Sequence, residues 1–167
     1  MRVLGIDPGT VRMGISVVES NGNNYKLIHY DVLKMSSSEN MCSRLGKIFS
    51  HVKKSIKDHK VEAVCIEDVF VSINSRSALK LGQGRGAAIA AAVDSGLEVF
   101  EYTPREIKKS VSCYGAASKD QVAHMVGMLV GVKNIKPFDA TDAIAVSICH
   151  INTMPLRARI KRMENTI

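Results

Sequence analysis

The stretch Val3-Leu4-Gly5-Ile6-Asp7-Pro8-Gly9-Thr10 decides how the rest of the chain is read. A short apolar run bounded by Pro and Gly reads as a buried strand that ends in a turn. Its last residue is a carboxylate, and a charge leaving a buried strand is costly unless it has a partner. Two roles fit Asp7: a cation ligand, or an Asx-type cap of the Pro-Gly turn. A second apolar run, Val61 to Ile66, also ends in acid, at Glu67-Asp68. That coincidence says more than either residue does alone.

Working outward, Val11 to Glu19 alternates imperfectly through Met13, Ile15 and Val17 and reads as a second strand. Asn21-Gly22-Asn23-Asn24 is a hairpin turn signal, and Tyr25 to Leu33 returns as a third strand. A helix opening at Ser36-Ser37-Ser38-Glu39 carries Leu45, Ile48, Phe49, Val52 and Ile56 at helical spacing, and is expected to cover one side of the sheet. From Asn74 to Gly96, glycines and alanines recur so often that a closely packed helix is the natural reading. Leu97 to Tyr102 gives another strand, and Thr103-Pro104 starts a short basic helix through Lys108-Lys109. Ser118-Lys119-Asp120-Gln121 has the capping-box pattern ahead of Val122, Met125, Val126 and Leu129. A last helix is expected from Asp139 to near Asn152. The order predicts an α/β fold with a mixed five-stranded sheet, three antiparallel strands and then parallel strands, flanked by helices. Sites in such sheets gather at the carboxyl ends of the parallel strands, where Asp7 and Glu67 both fall.

The 167 residues, 46% of them hydrophobic, suffice for one domain, read as residues 1–153, with a basic solvated tail at 154–167. No run reaches the length of a membrane span, and the apolar segment after Met1-Arg2 is too short for a secretory signal, so a cytoplasmic protein without a membrane partner is expected. Cys42, Cys65, Cys113 and Cys149 lie far apart without a Cys-x-x-Cys pair, which suggests neither zinc nor a disulfide framework; they read as reduced, small apolar residues. The formal charge of +7 favours a polyanionic partner.

Asp139 and Asp142, three residues apart, share one face of the last helix. The helix dipole tolerates acids in a first turn, so Asp139 also fits a plain N-cap after Pro137. Brought together, Asp7, Glu67, Asp139 and Asp142 would repel one another without a cation. Oxygen-rich sites of that kind select magnesium or manganese over zinc. Two such ions roughly 4 Å apart can activate a water and stabilise the leaving oxygen of an in-line phosphodiester displacement. Hydrolysis of a nucleic-acid backbone is the corresponding reaction.

An ordered set of segments resembles the bacterial RuvC crossover junction resolvase family. It comprises Gly5 to Thr10, Ile66-Glu67-Asp68-Val69-Phe70, Ser77 to Gln83 with Arg85-Gly86, Phe100-Glu101-Tyr102, Lys119 to Met125, and Asp139-Ala140-Thr141-Asp142-Ala143. The resemblance implies a ribonuclease H-like fold and a homodimeric, magnesium-dependent endonuclease, with manganese as a substitute and two ions per subunit. It would resolve Holliday junctions by two symmetric nicks at a short thymine-containing sequence, alongside a branch-migration motor of the RuvA and RuvB type. By match of motif, Asp7, Glu67, Asp139 and Asp142 take the catalytic, metal-binding roles. Some relatives carry His where this chain has Asp139, so direct ligation and proton handling both stay open there. Phe70 resembles a base-stacking aromatic and otherwise reads as core. Lys108 and Lys119 resemble basic residues beside the cleavage site and otherwise read as solvated lysines. Arg76 offers a phosphate contact. The helix from Ser77 to Val93 matches the dimer-forming region, although a core helix would use the same small residues. Two rivals remain at this point: a non-cleaving junction-binding protein, and an actin-like phosphotransferase, a sugar kinase or ATPase sharing the Asp-x-Gly-Thr turn.

Overall fold

The computed structural model describes residues 1–22, 24–68, 75–112 and 115–164, with side chains described as far as residue 154. Strands β1 (Arg2–Asp7), β2 (Arg12–Asn21) and β3 (Asn24–Lys34) form an antiparallel meander, turned at Gly22 with a positive φ of 65°. Strands β4 (Ala63–Glu67) and β5 (Val99–Tyr102) add in parallel to the other side of β1, giving the order β3-β2-β1-β4-β5. This is the expected mixed sheet. β1 is its centre and is covered on both faces, which is why its apolar residues run without a break.

Successive strand residues point to opposite faces, and the two apolar clusters divide accordingly. Leu4, Ile6, Met13, Ile15, Val17, Val64 and Ile66 pack with Ile48 and Val52 of α1 (Met41–His59) and with Ala88, Ala91 and Ala92 of α2 (Ser75–Asp94). Val3, Val18, Cys65 and Tyr102 pack on the opposite face against α3 (Pro104–Ser112), α4 (Lys119–Val130) and α5 (Phe138–Glu164). Asp7 and Glu67 follow Val3 and Cys65 at even spacing, so both carboxyls leave the sheet on the α5 side.

Several boundaries differ from expectation for local reasons. α1 begins after Asn40, whose side chain accepts the Ser43 N–H at 2.8 Å, while Ser36 and Ser38 close their own turn through a 2.7 Å hydroxyl contact. It ends at Lys60 in the left-handed region (φ 52°). α4 has the expected capping box, with Ser118 and Gln121 each accepting the other's backbone N–H at 3.2 and 2.8 Å. α5 runs to Glu164, well past Asn152. Of the cysteines, Cys65 and Cys149 are buried as expected, Cys42 is exposed, no disulfide forms among the described residues, and Cys113 lies outside them.

α5 lies unusually close to the first two strands. A β-carbon on Gly5 would sit 2.2 Å from the Ala143 carbonyl oxygen and 2.3 Å from Ser147 Oγ; one on Gly14 would sit 2.0 Å from the Asp139 carbonyl oxygen. Below them the hydroxyls of Ser16 and Ser147 meet at 2.9 Å in the buried interface. Only bare backbone at these positions lets α5 lie this close. Gly14→Ala is therefore expected to cost about 1–3 kcal/mol by overpacking. Gly46→Ala, in α1 with open space at its β-carbon, is expected to stabilise by about 0.5–1 kcal/mol. Urea midpoints of the two variants against the parent check both signs.

Candidate active site

Asp7 ends β1 and Glu67 ends β4, the neighbouring parallel strand, in a register that sets Ile6 beside Ile66. The two carboxyls therefore emerge side by side. Asp142, in the first turns of α5, comes down beside them because Gly5 and Gly14 admit that helix so closely. These three acids line a cleft of about 140 Å³ together with Lys108 of α3 and Lys119 of α4, walled by Ile107 and Val122.

Burial and mutual repulsion dominate the electrostatics. Asp7 is pushed up to about 8, chiefly by desolvation, then by the charges of Glu67, Asp142 and Asp139; Lys119 opposes this. Glu67 is raised by burial and by Asp142, against a hydrogen bond with Asp7 and the charges of Lys119 and Lys108. Asp142 is raised by burial and held back by Lys119, whose ammonium lies 3.5 Å from its Oδ2.

The remaining residues singled out in the sequence fare differently. Asp139 is in the first turn of α5, near enough for its charge to reach Asp7 and Asp142, but it does not line the cleft. Its Oδ2 accepts from Nη2 and Nε of Arg12, at 2.6 and 3.1 Å. Among the described residues no group of three or more His, Cys, Asp or Glu is disposed to hold a metal ion as it stands. Arg76 is exposed in the first turn of α2 and is not brought into the cleft. Phe70 lies outside the described residues.

Three arginines around the site had no role assigned from the sequence, although Arg85 stood in one of the matching segments. Arg12 is one. Arg44, buried on α1, donates from Nη1 to the Thr10 carbonyl at 3.0 Å and so supports the turn after Asp7. Arg85 of α2 donates from Nε to the Glu67 carbonyl at 3.4 Å, while its Nη2 pairs with Glu101 and lies 3.6 Å from Asp68. A long cation inside a helix of glycines and alanines was the available signal for Arg85, since such a side chain needs an acidic partner. Nothing in the sequence marked Arg12.

A mixed sheet in this order, with acids converging from β1, β4 and α5, defines a ribonuclease H-like nuclease. The sequence model of the family described as "Crossover junction endodeoxyribonuclease RuvC" matches residues 3–150. The chain is 48% identical over 159 residues to the RuvC of Trichlorobacter lovleyi, covering 94% of this chain and 88% of the relative. It is 42% identical over 166 residues to that of Geobacter sulfurreducens, covering 98% and 100%. Thermus thermophilus RuvC superimposes with a TM-score of 0.85 at 33% identity, over 93% of this chain and 96% of that one. The same protein in complex with a Holliday junction substrate gives 0.86 at 31% identity, with the same coverage. The chain belongs to the RuvC family of crossover junction endodeoxyribonucleases, a family of metal-dependent enzymes. A non-cleaving binder and an actin-like phosphotransferase are thereby disfavoured.

Two measurements test the electrostatics. With Asp7 raised from 3.8 to about 8, the metal-free folded state keeps a proton that the unfolded chain releases. The associated stability is complete below about pH 4 and is lost as pH rises through about 8. In chelator, the stability is expected to fall between pH 5 and 8 by up to about 1.4 kcal/mol per pH unit for this proton, and Asp7→Asn is expected to flatten the slope. Independently, Arg85→Ala removes the bond to the Glu67 carbonyl and the pairs with the part-exposed Asp68 and Glu101, and is expected to cost about 0.5–1.5 kcal/mol in chemical denaturation, with Arg85→Lys recovering only part.

Proposed function

We propose that this chain resolves Holliday junctions by paired, symmetric nicks, using Asp7, Glu67, Asp139 and Asp142 as its catalytic, metal-holding acids. The observation that carries the reading is the convergence of half-buried carboxyls from two parallel strand ends and one helix start in a cleft that also holds two lysines. Asp7, pushed up to about 8 first by burial and then by the charges of Glu67, Asp142 and Asp139, is a carboxyl whose charged form gains from a cation beside it. The donors are all oxygen, which fits Mg²⁺, with Mn²⁺ as a substitute, two ions per subunit. Bound there, such ions supply activation of water and stabilisation of the leaving oxygen in an in-line displacement.

The protein's own groups do the rest. Lys119 and Lys108 present ammonium charges on the cleft wall, where they hold the scissile phosphate and offset charge developing on its oxygens. Ile107 and Val122 keep one wall apolar, so those charges act through a medium less screening than water. Arg76, exposed at the start of α2, offers a backbone phosphate contact, and Phe70 offers a surface for base stacking.

α2 supports the homodimer. It exposes Leu79 and Val93 and leaves open space over Gly82 and Gly86, a surface that a second copy would cover. A two-fold dimer would set one cleft on each of two like strands of a nearly symmetric junction. Cooperation with a motor of the RuvA and RuvB type and a cytoplasmic setting accord with this reading. Among the described residues no helix is long and apolar enough to cross a membrane.

The test is nicking of a synthetic four-way junction. The parent is expected to cut two opposed strands only when Mg²⁺ or Mn²⁺ is present. Asp7→Asn should bind the junction normally and cut at least about a hundredfold more slowly, the several kcal/mol that a metal site supplies. Undiminished cutting by that variant, or by the parent in chelator, would overturn the assignment.

A further inference from the structure

Arg12 opens β2, directly after the turn that follows Asp7, and its guanidinium crosses to the start of α5. Two of its nitrogens, Nε and Nη2, donate to one oxygen of Asp139. That contact coincides with two other observations. Asp7, Glu67 and Asp142 line the cleft and Asp139 does not. Among the described residues, no three acidic side chains are arranged to hold an ion together. The Arg12 side chain is also 44% exposed, so a polyanion arriving at the cleft can reach it. An arginine fork fits carboxylate and phosphate alike, and an exposed pair is a weak one, weak enough to be given up for another anion.

We propose that Arg12 is an exchange residue: in the DNA-free protein it keeps Asp139 out of the cleft, and on DNA binding it transfers its fork to a backbone phosphate, releasing Asp139 to complete the acidic site. The proposal rests on the metal-holding role given above to the four acids and adds a regulation to it. Because coupling between two ligands is reciprocal, DNA then tightens divalent-cation binding and the cation tightens DNA binding. An enzyme wired in this way assembles its full site only where a strand lies across it.

The test is Mn²⁺ binding by calorimetry to the full chain without DNA, for the parent, Arg12→Gln, Asp139→Asn and the double variant. Arg12→Gln is expected to tighten Mn²⁺ roughly twofold to fivefold, the range of an exposed pair, and to change nothing in the Asp139→Asn background. Arg12→Lys, which keeps the charge but loses the fork, should tighten less. Junction affinity measured against salt in chelator should lose about one unit of slope in Arg12→Gln, one phosphate contact fewer. Unchanged or weakened Mn²⁺ binding by a folded Arg12→Gln, or tightening that persists without Asp139, would overturn the exchange; an unchanged salt slope would overturn the phosphate contact. If Asp7→Asn leaves Mn²⁺ binding intact, the failure belongs to the acidic-site reading itself and not to Arg12. Thermal melts of each variant, with Arg12→Lys as the milder substitution, separate a loss of binding from a loss of fold.

Discussion

The seat of α5 on the first two strands is the constraint from which the site follows. Gly14 lies opposite Asp7 in the β1–β2 ladder, and the carbonyl of Asp139 occupies the place a side chain at Gly14 would need. Gly5, two residues before Asp7 on the same face, yields in the same way to Ala143 and Ser147. The helix face that descends is correspondingly small, with Ala140, Ala143 and Ser147 all buried. Side chains of ordinary size at either glycine would lift the helix start and carry Asp139 and Asp142 away from Asp7. The cluster of like charges is thus a product of close packing, held in place by the apolar burial around it.

Each acid near the site has its own electrostatic answer, except the innermost pair. Lys119 answers Asp142, Arg12 answers Asp139, and Arg85 answers Asp68 and Glu101 while also bracing the Glu67 backbone. Asp7 and Glu67 share a hydrogen bond with each other, and their relief from Lys119 and Lys108 comes only through space. Burial at that depth penalises the charged form more than distant lysines can repay, so the base of the cleft is the place where a divalent cation gains most.

Much of this could be read from the sequence because the informative signals were local. A carboxylate closing an apolar strand, repeated at Asp7 and Glu67, marks the carboxyl ends of neighbouring parallel strands and a site at once. The Ser118–Gln121 box fixed the start of α4, and strand alternation fixed which residues share a face. What escaped depends on tertiary approach. Ser36 to Glu39 and Asn40 all offer helix caps, and only the turn made by the serines among themselves selects Asn40. The partner of Arg12 lies 127 positions away, and no spacing rule reaches that far. Where Arg76 stands, exposed at the start of α2 and outside the cleft, is likewise set by how the helices pack and not by any local signal.

The surplus of +7 also takes on a direction once the fold is known. On α1, on the face of the sheet opposite the cleft, Lys47, Lys53 and Lys54 are tied to Glu39, Asp94 and Asp58. Those lysines were conspicuous in the sequence, yet their charge is largely spent locally. α3 behaves in the opposite way. It brings Lys108 to the cleft, while its own acid, Glu106, turns back to receive the Thr103 N–H and hydroxyl at 2.8 and 2.7 Å. With Lys119 at the start of α4, the basic charge gathers around the same opening that the acids make negative at its floor. A duplex backbone approaching from solvent meets the cations first, at the rim, and only then the carboxyls. That order suits a site whose floor repels phosphate until a cation bridges the two, and it explains how one small domain can be strongly basic overall and acidic at its centre.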